Sequence, residues 1–391
     1  MRRKAAVALL LALVCGAPFV LAEGPEPEHN ALAENAALAY WRAFAMIPDM
    51  TAEEEEMVVA AMASLTVPLG QQTDKLVADW GPALKLLHEG AATSACEWGV
   101  DLSKEGPATL LPHLSKARQL ARGAWFRSCY FWERGQKQAA VEDLKAAVIL
   151  ARHTGARGRG LLISVLVQIA IENALVKGAA RYLTDVEAAD ALDRVMADLS
   201  AMPNENLISN AFLVEKQTCL GWYIDRLRSG KGEDIAQSLA GEVPGIPGGQ
   251  SSSELLRLLE ETGRHYEEMA EIFGLPPRQS AARWAAFTKQ VEASGNPFTK
   301  LIVPAVYRAR EAELELRTRW AMLRAGIAVR KRGPQALETV KDPYDDLPFE
   351  YAEHDGTFEL TSRLTTRDGE PVSLSFGGSQ AAATGPNDDR P

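Results

Sequence analysis

RGLLISVLVQIAIENALVKGAARYL, residues 159–183, is apolar on nearly every side of a helix between Leu161 and Ile171. A helix that is hydrophobic all round belongs inside a protein, covered by other elements. Its polar residues Ser164, Gln168 and Glu172 recur at i, i+4 and i+8, so they form one stripe on one face. That stripe must either meet water or find partners inside. The apolar run is too short and too polar for a membrane span, which needs ~20 apolar residues. The stretch reads as the central buried helix of a mainly α-helical fold.

Helices surround it in the sequence. Segments 114–133 and 137–152 are separated only by Arg134-Gly135-Gln136, which allows nothing but an antiparallel helix pair. On the other side, 185–199 starts with the capping box Thr184-Asp185-Val186-Glu187 and turns Leu192, Val195, Met196 and Leu199 inward. Ile208, Phe212, Cys219, Tyr223 and Leu227 stripe a further helix. Nearer the N-terminus, 30–47 is amphipathic and ends at Pro48, the box Thr51-Ala52-Glu53-Glu54 opens the next helix, and another spans 73–89. The acidic run Glu53 to Glu56 is explained by the dipole at that helix start. Beyond residue 250, Ser251 with Glu254 caps a helix to about Phe273, a second covers Pro277–Ala293, and Pro304 is expected to restart one that continues to Arg330. After Asp342 the period changes from helical to alternating. Phe349, Tyr351, Phe358, Leu360, Leu374 and Phe376, with turns at His354-Asp355-Gly356 and Arg367-Asp368-Gly369, predict a small antiparallel sheet.

The 391 residues divide accordingly. Residues 1–22 have the basic start (Arg2, Arg3, Lys4), apolar run and Val20-Leu21-Ala22 end of a secretory signal, cleaved after Ala22. Cys15 stands in a lipoprotein-like box whose Val14 is bulky where a small residue is usual, so ordinary cleavage is the expectation. Then come a helical repeat-like domain (23–240), a Pro/Gly/Ser linker (241–253), a second helical segment (254–341), the β appendage (342–376) and a tail disordered by composition (377–391). The helix pairs pack either as a right-handed array or as a compact helical domain. The chain is thus expected to be exported, to the periplasm or beyond.

Losing the three basic residues of the signal moves the formal net charge from −10 to about −13. That balance argues against nucleic acid and anionic membrane as partners. Cys96, Cys129 and Cys219 remain, an odd number for an oxidising compartment and without zinc-site spacing. One disulfide plus one thiol would fit, and burial at apolar helix positions explains Cys129 and Cys219. No cofactor is implied, and the oligomeric state is open.

Phe131, Gly135, Ala140, Leu144, Ala147 and Val148, with Ser128 one turn before Phe131, fall where a tetratricopeptide unit keeps its packing residues, and this segment resembles one such unit of about 34 residues. Arg127 stands where that pattern has leucine. The chain is also similar, over most of its length after the signal, to a family of secreted bacterial α-helical proteins to which no activity is attached. That likeness rests on Asn35-Ala36-Ala37-Leu38-Ala39-Tyr40-Trp41, on Cys96-Glu97-Trp98-Gly99-Val100-Asp101 leading to Leu110-Leu111-Pro112-His113-Leu114, and on Asp342-Pro343-Tyr344 after the last helix. The closing segment, with Pro348-Phe349-Glu350-Tyr351 and Phe358-Glu359-Leu360, resembles the end of bacterial pseudopilins, with Asp345 where they have glycine.

No zincin helix, nucleophile elbow or phosphate loop is present. The glycine-rich Gly155-Ala156-Arg157-Gly158-Arg159-Gly160 joins helix to helix, so it reads as a turn rather than a nucleotide site. Glu261, His265 and Glu268 share one helix face and could hold a metal or move a proton, but Arg257 and Arg264 beside them favour a salt network. Periodicity fails between Thr93 and Pro112, an irregular segment of the kind that carries binding groups on a rigid scaffold. The candidate binding residues are Glu97, Trp98, Asp101 and His113 in and after that segment, with Gln168 and Glu172 of the central stripe. No catalytic set or metal site can be assembled. The expectation is a helical scaffold that binds a protein or peptide, the alternative a cell-envelope hydrolase using the carboxylates and the histidine near 96–113.

Overall fold

The computed structural model describes residues 35–156, 160–202, 204–230, 232, 235, 239, 243–246, 250–354 and 356–377. The expected signal segment, the tail beyond Gly377, Arg157 and Arg159 of the glycine-rich turn, and part of the 241–253 linker lie outside those residues.

Helices α1 (Ala36–Ala45), α2 (Ala52–Ser64), α3 (Gln71–Ala91), α4 (Pro112–Glu133), α5 (Lys137–Thr154), α6 (Leu162–Arg181) and α7 (Val186–Ser200) come first. α8 (Leu207–Glu215) passes through a π turn, Lys216–Leu220, into α9 (Gly221–Arg228). Then follow α10 (Ser252–Gly274), α11 (Pro277–Ala293) and α12 (Pro297–Arg332). Strands β1 (Glu350–His354), β2 (Thr357–Thr365) and β3 (Pro371–Phe376) close the chain as an antiparallel sheet in the order β1-β2-β3. The fold is mainly α with a small C-terminal sheet, as the two periodicities predict.

Local chemistry sets several helix starts. The Thr51 hydroxyl accepts Glu54 N–H and the Glu54 carboxylate accepts Thr51 N–H, so the expected box is formed, and Ser251 and Asn296 cap α10 and α12. Two expectations need correction. α7 is capped by Asp185 rather than Thr184: the Asp185 carboxylate accepts Ala188 N–H at 2.8 Å and is held by Lys137 at 2.7 Å. Pro304 does not restart a helix but lies within α12. Its ring is exposed while Val303 and Val306 are buried, and burial on both flanks outweighs one missing backbone hydrogen bond. Two further helices borrow their caps. α6 and α8 have no capping side chain at their N-cap positions; instead Glu215 accepts Leu162 N–H at 3.0 Å and Glu313 accepts Leu207 N–H at 2.6 Å. Burial raises the Glu215 carboxyl above its ordinary range, a cost offset by the helix N-terminus it serves.

The helix read as central is central. α6 packs against α4, α5, α8, α12 and β3, and Val165, Val167, Ile169, Ile171, Leu175 and Val176 are all buried. At 20 residues it is longer than the apolar run alone predicts, and it has the length and composition to cross a membrane; here its neighbours cover that surface. A Cβ at Gly178 would fall inside the Trp125 ring, so a bare glycine is what lets α4 and α6 approach. α12, about 54 Å long by its 36 residues, lies along α6, α7, α10, α11 and the sheet. One buried apolar cluster runs from Ala36 to Phe376 and includes Val243 and Ile246 of the linker region.

The pair α4–α5 turns at Gly135 (φ 72°), and Ser128 Oγ donates across it to Ala140 O at 2.8 Å. Arg127, at the position where leucine was expected, donates twice to the buried Asp143 carboxylate (2.7 and 2.6 Å), and His88 of α3 reaches the same carboxylate at 2.7 Å. The polar substitution is matched by a buried acid 16 residues on.

Candidate functional site

The irregular segment after α3 is strapped across the fold at both ends. At its start, Asn35 caps α1 by accepting Ala37 N–H, and the same amide exchanges two hydrogen bonds, each 2.9 Å, with the backbone of Glu97. Ala36 N–H also donates to Ala95 O at 2.8 Å. At its far end Gly106, in a left-handed conformation (φ 55°), lies against the Trp222 ring. Trp222 Nε1 donates to Ser103 O at 3.2 Å, and Arg226, stacked over that indole, donates to Lys104 O at 2.9 Å.

Between the clamps Trp98 is driven inward. Its Nε1 donates to His153 O at 2.9 Å, and its ring stacks on His113 (centroids 4.6 Å), Phe44 (6.0 Å) and Tyr40 (5.7 Å), with Trp41 edge-on at 6.1 Å. The Tyr40 hydroxyl and His153 Nδ1 are 2.9 Å apart. Trp98 thus plugs the junction of α1, α4 and α5. His113 is 2% exposed, its Nδ1 has no partner among the described residues, and burial pushes it down to about 4. It is therefore a neutral ring near pH 7.

The outer face of the strap is different. Glu97 and Asp101 are exposed. Ser103 donates to Asp101 from its N–H (2.9 Å) and its hydroxyl (2.6 Å), which lowers that carboxyl. On the strap and on α1 large apolar side chains also stay in solvent: Leu38 (43% exposed) and Trp41 (37%) on α1, Val100 (37%) and Leu110 (58%) on the strap.

Gln168 and Glu172 belong to a separate, buried cluster. The stripe on α6 finds partners inside rather than water. The Glu172 carboxylate accepts from Gln168 Nε2 (2.8 Å), Trp320 Nε1 (2.8 Å) and Asn204 Nδ2 (3.0 Å), with the Arg152 guanidinium 3.5 Å away. Gln168 Nε2 also donates to Asn204 Oδ1 at 2.7 Å, and Arg152 donates to Leu199 O and Met202 O at the end of α7. A buried charged pair whose carboxylate is bonded by Gln168, Asn204 and Trp320 is a structural joint between α5, α6, α7 and α12.

Of the six residues expected to bind, Glu97 and Asp101 are exposed, Trp98 is half-buried, and His113, Gln168 and Glu172 are enclosed. Among the described residues the clusters are linked through consecutive residues of α5: His153 receives Trp98, and Arg152 faces Glu172. No nucleophile, base and charge stabiliser converge among the described residues. Glu261, His265 and Glu268 are likewise divided. Glu261 pairs with Arg257 at 3.5 Å on the wall of a cleft of about 270 Å³, while His265 is turned to Thr299 Oγ1 (2.9 Å) and edges onto Phe287. Among the described residues no group of three His, Cys, Asp or Glu is placed to hold a metal ion. Cys96, Cys129 and Cys219 are free thiols, each raised to about 12 by burial.

Sequence reasoning missed Asn35, His153 and Trp222 as the strap's anchors, and Arg152, Asn204 and Trp320 as the partners of Glu172. A signal existed only for Asn35, an Asn just before an amphipathic helix. No protein-family model, curated protein or solved structure matches the chain.

Proposed function

We propose that this chain is an exported helical scaffold, tetratricopeptide-like in its α4–α5 unit, which binds a protein or peptide partner on the face made by α1 and the 93–111 strap. Export is supported by the tripartite start of the sequence. Binding is supported by one observation above the others: a backbone segment fixed at both ends and underpinned by stacked rings leaves Val100 and Leu110 in solvent, as α1 leaves Leu38 and Trp41, on the two elements that also carry the exposed Glu97 and Asp101 or are strapped to them. Large apolar side chains left in solvent on a rigid surface are characteristic of protein interaction sites. Rigid aromatic groups lose little entropy on docking, so Trp41 is the expected anchor. The hydrolase alternative would need His113 within reach of solvent and a carboxylate, and its ring is buried against Trp98 instead.

The test is affinity capture from envelope extract with three baits: the parent, Trp41→Ala, and the double variant Glu97→Ala, Asp101→Ala. A defined protein retained by the parent and lost from Trp41→Ala is the expected result. Equal recovery by all three baits would overturn the assignment of this face.

A further inference from the structure

Among the described residues, β1 is an edge strand of the C-terminal sheet with no strand beyond it. β3 packs on α6 and α12, whereas β1 is paired on its β2 side and is exposed along its length except at the half-buried Tyr351. The phase of that edge follows from its register. His354 pairs with Thr357 across a two-residue turn, and the residues flanking such a turn exchange the backbone hydrogen bonds. Alternation then turns the N–H and C=O groups of Glu350, Ala352 and His354 toward β2, and those of Tyr351 and Glu353 outward.

An antiparallel copy of β1 must bring its own outward residues to this edge, which leaves three registers. Centred on Glu353, the pairing would oppose two like charges. Centred on Tyr351, it would set Glu353 against the buried Phe349. Centred on Ala352, it uses all five residues and sets Tyr351 opposite Glu353 and Glu350 opposite His354, a phenol against a carboxylate and a carboxylate against an imidazole. Short, charged strands usually keep sheet edges apart; in this register each glutamate meets a complementary group.

We propose that β1 is a homotypic interface: a second copy of this chain adds its β1 antiparallel about Ala352, joining two three-stranded sheets into one of six. Ala352→Cys tests the register, because the two thiols would face each other across a non-hydrogen-bonded pair whose Cα atoms are about 4.5 Å apart, within disulfide reach. The parent, with its native cysteines, and Tyr351→Cys, whose thiol would face Glu353, are the controls. Under mild oxidation the Ala352→Cys chain is expected to convert to a covalent dimer and the controls to stay at monomer mass. Glu353→Pro removes an outward N–H without touching the β2 ladder, and sedimentation should show loss of the concentration-dependent dimer seen for the parent, with the far-ultraviolet spectrum unchanged. A parent that sediments as monomer at its highest soluble concentration, cross-linking as efficient at Tyr351 as at Ala352, or an undiminished dimer in Glu353→Pro would each overturn the proposal.

Discussion

The indole of Trp98 lies flat on the imidazole of His113, their ring centroids 4.6 Å apart and their planes 17° from parallel. This one contact ties a segment without regular structure to the first turn of α4. The rings that hold the strap from within are also what stiffen its outer face, so the buried and exposed parts of the candidate site are two sides of one arrangement.

His113 should make the fold acid-sensitive. Its folded value of about 4 lies below the ordinary 6.5, so between those limits the unfolded chain takes up a proton that the folded chain does not. Its contribution is complete above 6.5 and is lost as pH falls toward 4. Urea unfolding at pH 7 and pH 4.5 should show His113→Phe losing up to about 2.5 kcal/mol less than the parent over that interval. Equal losses would mean that the imidazole is not held neutral.

Glu172 should behave as half of a buried pair. Glu172→Ala leaves the Arg152 guanidinium enclosed without its counter-charge, and denaturant unfolding should show a loss of about 3–5 kcal/mol. Adding Arg152→Met to that variant should recover part of the loss, because the orphaned charge is then gone. Strictly additive losses would show that the two residues do not act together.

Asn35 should hold the strap as well as cap its helix. Asn35→Ala is expected to cost about 1 kcal/mol as a cap. Hydrogen exchange at the amides of Ala36 and Glu97 should speed up while that of α6 stays protected. Unchanged protection at both amides would mean that the strap stands without this anchor.

Gly178 should tolerate no side chain. Gly178→Ala drives a methyl group into the Trp125 ring, and overpacking of this kind costs about 1–3 kcal/mol. Trp125→Phe in the same chain should recover part of that loss, measured by thermal or urea unfolding. No loss in Gly178→Ala would contradict the close approach of α4 and α6.

How much of this was legible in the sequence depended on how local the determinants are. The α6 apolar run, the caps at Thr51 and Ser251, the Gly135 turn and the alternating residues of β1 to β3 are each written within a few positions, and each forms as read. Pro304 misled because a proline is tolerated inside a helix when its ring faces solvent and neighbours such as Val303 and Val306 are buried, which the sequence alone does not show. The Glu172 stripe could be seen, but not where its partners came from: Asn204 and Trp320 arrive from 32 and 148 residues away. The same holds for the caps that Glu215 and Glu313 supply at separations of 53 and 106 residues. For the site, the loss of helical periodicity marked the irregular segment, while the depth of each residue was set by which neighbours packed on it. His113 and Glu172 therefore look as polar in sequence as Glu97, yet only Glu97 faces water.

The most direct test of the account is a photoreactive amino acid placed at Leu110, on the proposed docking face, and in a parallel chain at the equally exposed Leu69, in the connection between α2 and α3. Irradiated in cells that make the protein, the Leu110 chain is expected to give one discrete conjugate with another protein, absent from the Leu69 chain and lost when Trp41→Ala is added. Conjugates of the same mass from both positions, or none from Leu110 in a correctly folded chain, would contradict the claim that the strap is a docking platform.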